Sequence, residues 1–291
     1  MTQVSKITLA QERVAEQFAA NGRAVYTSQE LYALINQHRG RWDLPETTSL
    51  KRVVQKWTEN GFITEQVFEL SDQNRLVLYL YGEPSIYEIA VTLRPKSYIS
   101  HYPAVFLHEL TNQVPKTIYT TQELSAKRNR NYSLEQKAID KAFSQPQRRS
   151  QLLTVYKDYT IILLSGMHSN RAGVLLSTRY KNAFSFTGLE RTLIDITVRP
   201  NYAGGAFAVL EAYRKALKEL SSNKFITTLA ALPFIYPYHQ AVGFYLERAG
   251  YTGRLLNELR SKQITFNFYL DYDMPEKSFD AKWKIWYPKG M

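Results

Sequence analysis

The sequence predicts an α+β protein, on three observations. Before residue 62, three stretches carry apolar residues at helical spacing. The segment RLVLYLY (75–81) then alternates as a strand does, and from residue 86 onward strand-like and helix-like runs are interspersed. With 291 residues and 44% hydrophobic content, the chain is long enough for two domains, each with a core of its own.

The first helix is expected over 8–21. Thr8 and Gln11 form a capping-box pattern, Ala10, Val14 and Phe18 share a face, and Asn21-Gly22 ends the run. The second is expected over 27–37, with Thr27 and Glu30 as the box and Leu31, Leu34 and Ile35 as the buried stripe. The third occupies Thr47 to Gly61, TTSLKRVVQKWTENG. Leu50, Val53, Val54 and Trp57 lie on one face, while Thr48, Arg52, Gln55 and Glu59 lie on the other, flanked by Lys51 and Lys56. Two short apolar runs, Phe62-Ile63 and Val67-Phe68, precede the polar turn Ser71–Asn74 and the alternating strand, which is a hairpin signal. Three helices followed by a hairpin is the order of a winged helix-turn-helix domain. The sequence thus predicts this domain over 1–84 and a larger mixed α/β domain over 85–291, divided at the turn-rich Tyr81–Ser85.

In the second part, Ile86 to Leu93 reads as a strand. Ser97 to Leu110 reads as a helix that starts near Ser100, with Pro103 in its first turn. A strand over 116–121, a helix over 133–143 and a hairpin over 152–165 turning at Lys157-Asp158 follow. Thr187 and Glu190 suggest a capping box for a helix with Leu189, Leu193 and Ile196 buried, Arg191 and Asp195 paired at i,i+4, and Pro200 as its end. Further helices are expected over 206–220, 224–232 and 238–249, then a strand over 263–270. The aromatic tail, with Trp283, Trp286 and Tyr287, is expected to dock on this domain.

Composition narrows the chemistry. The absence of cysteine excludes disulfides, thiolate metal sites and cysteine nucleophiles, and suits a reducing cytosol. No apolar run approaches the length of a membrane span and no secretory h-region opens the chain, so a cytoplasmic location is expected. The net charge of +11 and pI near 9.5 favour nucleic acid or an acidic partner. Residues 1–80 carry nine Lys+Arg against nine Asp+Glu, so the whole excess lies further on.

The candidate DNA contacts are Thr48, Lys51, Arg52, Gln55, Lys56 and Arg75. Arg52 suits guanine O6/N7, Gln55 suits adenine N6/N7, and the lysines with Arg75 on the hairpin suit phosphates. Lys127, Arg128, Arg130, Arg148 and Arg149 lie in polar segments and are candidates for further phosphate contacts. No catalytic residue, cofactor or metal is expected. His101 and His108 stand seven apart, too far for a metal pair on a helix, and a cap with an ion pair accounts for Glu190, Arg191 and Asp195. Asp271-Tyr272-Asp273 is expected to be a solvated turn. If its carboxylates held magnesium, the alternative would be a metal-dependent nucleic-acid-processing enzyme targeted by the winged helix. The phosphate-loop, nucleophile-elbow and HExxH motifs are absent.

The stretches SYISHYPAVFLHELTNQVPKTIYT (97–120) and FTGLERTLIDITVRPNYAGG (186–205) resemble those of the AbiEi family, antitoxins of type IV toxin–antitoxin systems of phage abortive infection. Pro103 departs from the small residue expected before Ala104. The resemblance implies a winged-helix domain that represses its own operon by binding promoter repeats on double-stranded DNA. It also implies a C-terminal domain that counteracts a nucleotidyltransferase toxin, without requiring a stable complex between the two. It supplies no catalytic residue.

Overall fold

The computed structural model describes residues 5–126, 133–177 and 182–291. Lys127, Arg128 and Arg130 lie outside the described residues. The fold is mixed α/β, with three sheets among the described residues. Among the described residues two compact units form: one drawn from 5–97, 152–161 and 176–185, and one drawn from 98–151, 162–175 and 186–291.

The first unit opens with α1 (Lys6–Leu9), α2 (Gln11–Asn21), β1 (Val25–Thr27), α3 (Ser28–His38) and α4 (Leu50–Glu59). Strands β2 (Thr64–Glu69) and β3 (Arg75–Leu80) form the hairpin, and β1 pairs antiparallel with β3 to give the sheet order β1-β3-β2. Its core gathers Val14, Phe18, Leu31, Ile35, Val53 and Trp57, the stripes expected of the three helices. The Thr27–Glu30 capping box is present at α3. The box expected at Thr8 is not. Ser5 caps the short α1 and bonds Thr8, so the chain turns at Ala10 and α2 starts without a side-chain cap.

Ile86–Thr92 is a helix, α5, and not the expected strand. Ser85 and Glu88 cap each other's backbone there, a local bond that outweighs the β preference of the isoleucines. Where the sequence places the boundary at Pro84, the first unit runs on to Ser97 and takes back two later segments. Specific bonds hold them. Ser71 N donates to Leu153 O at 3.1 Å, Thr154 Oγ1 to Glu69 O at 2.9 Å, and Asn182 Nδ2 to Glu88 Oε2 at 3.2 Å, while Phe184 packs on Tyr87.

The second unit begins with β4 (Tyr98–Ile99), α6 (His101–Leu107), β5 (Thr117–Glu123) and α7 (Gln136–Phe143). After β6 (Leu153–Tyr156), which belongs to the first unit, come β7 (Tyr159–Gly166), β8 (Val174–Leu176) and β9 (Ser185–Thr187). The strands run side by side in the order β7-β5-β4-β9-β8. Helices α8 (Leu189–Val198), α9 (Ala206–Ala216), α10 (Ser222–Ala231), α11 (Tyr238–Arg248) and α12 (Arg254–Ser261) follow, then β10 (Phe268–Tyr269), β11 (Lys277–Asp280) and β12 (Ile285–Pro288). Of the expected strand over 263–270 only β10 forms, and α12 answers to no expectation from the sequence.

The aromatic tail is part of the core. Trp283 is fully buried, and its Nε1 donates to Glu247 Oε2 at 2.6 Å. Its indole packs against Gly243 of α11, where a Cβ would fall 2.2 Å from Cη2 and 2.3 Å from Cζ3. Replacing Gly243 by alanine must therefore move either the helix or the indole, and overpacking of this kind costs about 1–3 kcal/mol or more. A thermal melt of Gly243→Ala should show a clear drop in Tm, and a wild-type melt would mean that the tail yields freely.

Candidate functional site

In the first unit, α4 separates an anchoring face from an open one. Val53, Val54 and Trp57 are buried. Trp57 Nε1 donates to Ile7 O at 3.2 Å, and its ring meets Trp42 and Phe62 edge-on at 6.2 and 5.7 Å. Ser49 Oγ caps the helix by accepting from Arg52 N at 3.3 Å. Lys51, Arg52 and Gln55 are exposed, and Thr48 and Lys56 are half-buried. Lys51 and Arg52 have no carboxylate partner among the described residues. Glu59, by contrast, engages Gln55 Nε2 at 2.9 Å and Lys56 Nζ at 3.5 Å, so part of the expected cationic face is already matched.

Arg75 is likewise paired, with Glu69 opposite it in the hairpin at 2.6 Å, and both side chains are exposed. A residue that the sequence reading passed over sets the approach to α4. Arg39 donates from Nη1 to Pro45 O at 2.7 Å and Glu46 O at 3.0 Å, and from Nη2 to Thr48 O at 3.0 Å. Such a bond to main-chain carbonyls across a loop leaves no periodic trace in the sequence.

In the second unit, the stretches 97–120 and 186–205 meet. Ile99 pairs in parallel with Phe186, and His108 Nε2 lies 2.8 Å from Thr187 O. Arg191 ties them further. Its guanidinium donates to Asp195 Oδ1 at 2.8 Å, Ala172 O at 2.6 Å, Ser169 Oγ at 3.2 Å and Tyr98 OH at 3.1 Å. Glu123 closes the cluster, accepting from Ser169 N at 2.9 Å, Arg171 N at 3.2 Å and Tyr98 OH at 3.3 Å.

Burial opposes the charge on Arg191, but Asp195 and Tyr98 outweigh it and hold the guanidinium above its ordinary value. Burial raises Asp195 despite Arg191, whereas the bonds from Ser169 and Arg171 keep Glu123 below the usual carboxylate range against its own burial. The expected Thr187–Glu190 capping box does not form. Gly188 is the N-cap, Thr187 Oγ1 turns to Thr192 Oγ1 at 2.8 Å, and Glu190 accepts from Ser221 N at 2.9 Å.

His101, unlike the other four histidines, is buried. It has a left-handed backbone, φ +57°, at the start of α6. Nδ1 lies 2.8 Å from Ser100 Oγ, which in turn lies 2.8 Å from Thr121 Oγ1. Burial, with Arg199 and Arg191 nearby, pushes the imidazole pKa down to about 3. Arg148 and Arg149 are exposed, on a segment pinned by Ser150, whose N donates to Tyr202 OH at 3.1 Å and whose Oγ donates to Leu163 O at 2.8 Å.

Asp271 is not a solvated carboxylate. It accepts from the backbone N–H groups of Tyr272 and Ala206, the latter the first residue of α9, and burial raises its pKa. Asp273 is exposed, and its backbone N donates to Phe143 O at 2.8 Å. Among the described residues no cluster of His, Asp or Glu is placed to hold a metal, and no helix is long and apolar enough to cross a membrane.

No protein-family model and no curated protein matches the chain. Among solved structures it is similar to the Rv2827c protein from Mycobacterium tuberculosis, at 13% identity and a TM-score of 0.55, over 96% of this chain and 91% of that one. The likeness is one of fold.

Two outcomes follow from the buried groups. Arg191→Met leaves Asp195 buried without its partner, which costs about 3–5 kcal/mol, and a paired Arg191→Met/Asp195→Leu change should recover much of that loss. Denaturant melts of the singles and the double measure it, and simple additivity would show that the two do not act as a pair. The folded pKa of His101 lies below its ordinary 6.5, so the unfolded chain binds the proton more tightly. Its contribution is complete above pH 6.5 and is lost as pH falls toward about 3. The Tm should decline between about pH 6.5 and 5, and His101→Asn, which tolerates the left-handed backbone, should flatten the decline. Parallel profiles for the two proteins would assign the decline to other groups.

Proposed function

We propose that this protein is a DNA-binding repressor of its own operon and the antitoxin of a type IV toxin–antitoxin system. In this reading the first unit is a winged helix, with α4 as the recognition helix and the β2–β3 hairpin as the wing. One observation carries it: α4 is anchored by a fully buried tryptophan and presents Lys51, Arg52 and Gln55 to solvent. After the short α1, the order helix, strand, two helices and hairpin, with β1 on the hairpin's inner strand, supports this reading.

On this reading the side chains divide the work by their chemistry. Arg52 reads a guanine edge, Gln55 an adenine edge, and Lys51 and Lys56 reach phosphates beside the groove, with Thr48 at the helix entrance. Arg75 joins the phosphate contacts by leaving Glu69, an exposed pair of little energetic worth. The antitoxin role rests on the two stretches that resemble the AbiEi family. Both lie in the second unit, where they pack on each other. A nucleotidyltransferase toxin is then the functional counterpart, and the chain performs no reaction of its own. The magnesium-enzyme alternative has no comparable support, because Asp271 is committed to backbone N–H groups.

The test is a gel shift against the DNA just upstream of the protein's own gene, run with rescue of cells expressing the neighbouring nucleotidyltransferase. Arg52→Ala should weaken the specific complex by about 1–3 kcal/mol and relax preference at one base pair, whereas Lys51→Ala should weaken specific and non-specific DNA alike. Neither should lower the Tm. Trp57→Ala should instead destabilise the fold by about 3–5 kcal/mol. If Arg52→Ala binds the upstream DNA as wild type does, α4 is not a recognition helix.

A further inference from the structure

The second unit carries an open cavity of about 510 Å³. That is in the range of small-molecule sites, about 300–1,000 Å³. Its lining is divided by chemistry. Arg148, Arg149 and Arg199 contribute three cations that have no carboxylate partner among the described residues. Asp195 is the one carboxylate in the lining, and Arg191 already neutralises it at 2.8 Å. Three unmatched guanidinium groups around one hollow create a strong positive potential, and their planar forks match the oxygens of phosphate in geometry as well as charge.

One wall of the lining is aromatic and apolar. Tyr236, Tyr238 and Tyr272 stand there with Phe234, and Tyr238 meets Phe234 and Tyr236 edge-on at 5.0 and 6.1 Å. Ile235 beside them is 56% exposed. Arg199 stands close to both Tyr238 and Tyr272, and its charge acts against the burial that raises their phenols. Cations and ring faces therefore share one space. His101 also borders it, buried, neutral and in a backbone conformation that a residue with a Cβ rarely adopts. Such conformations persist only where surrounding contacts hold them, and they gather at ligand sites.

We propose that this cavity binds a nucleotide, with the phosphates on Arg148, Arg149 and Arg199 and the base against the tyrosines. A plain anion would leave the aromatic wall unused, and an apolar ligand would leave three cations desolvated without compensation. A nucleotide answers both, since planar bases stack on aromatic rings and guanidinium groups. The site does not rest on the reading of α4, whose residues belong to the other unit.

Isothermal titration of the full chain with ADP, pyrophosphate and adenosine tests it. ADP should bind about tenfold or more tightly than either fragment, because it alone engages both walls. The exposed pair Arg148→Ala/Arg149→Ala, and separately Arg199→Ala, should each weaken ADP by about tenfold or more with an unchanged Tm. Tyr236→Leu should weaken ADP and leave pyrophosphate as it was. No ADP binding at about 1 mM, ADP no tighter than pyrophosphate, or affinity indifferent to the arginines would each overturn the proposal. A phosphodiester backbone offers the same charge, so duplex DNA is titrated as a second arm. If ADP fails to bind while the Arg148/Arg149 double change lowers the salt slope for duplex by about 1–2, these arginines are DNA contacts and the nucleotide site is refuted.

Discussion

Arg191 carries a permanent charge into the interior of the second unit, and the surrounding structure is arranged to satisfy it. A guanidinium has five N–H donors, and leaving any of them bare at this depth is expensive. The partners come from separate parts of the chain: Asp195 one turn along α8, Tyr98 on β4, and Ser169 with Ala172 on the loop after β7. Tyr98 and Ser169 then share Glu123 from β5. The cluster ties α8 to the sheet in one register. A well-packed apolar set of the same volume could be as stable, but it would not impose this particular alignment.

The first unit solves a different problem, that of holding a polar helix face outward without letting the helix drift. Trp57 supplies most of the anchorage, filling the space between α1, Trp42 and Phe62. Val53 and Val54 are buried beside it, and Arg39 stitches together the loop from Pro45 to Thr48 through three carbonyls. Loops usually satisfy such carbonyls with water. Binding them to one rigid fork fixes where α4 begins, and with it which side chains face outward.

What was legible in the sequence is what depends on period. The stripes of α2, α3 and α4, the pairing of β2 with β3 as a hairpin and the i,i+4 pair of α8 are properties of neighbours along the chain, and they lie where the spacing places them. The misread features depend on what a side chain finds across space. Ser85 and Glu88 made a helix of a segment with strand composition, and Gly188 became the N-cap because Thr187 was drawn to Thr192. Trp283 was expected to dock, but its matching gap at Gly243 could not be read from either residue alone. The same holds for the candidate sites. The open face of α4 is a matter of helical phase, whereas Arg148, Arg149 and Arg199 share a hollow only because Ser150 and Tyr202 bring distant segments together.

The return of residues 152–161 and 176–185 to the first unit has a consequence for the order in which the chain matures during synthesis. A domain made of one continuous stretch can fold as soon as its last residue leaves the ribosome. Here α2, α3 and α4 emerge early, but the outer strand of the hairpin and the cap of α5 wait for partners more than eighty residues later. Contacts that distant raise the entropy of closure and slow the folding step that needs them. The N-terminal half therefore spends part of its synthesis with an incomplete surface, and it is completed only as the second unit is itself being made. Maturation of one half is in this way timed by production of the other, without either having to signal it.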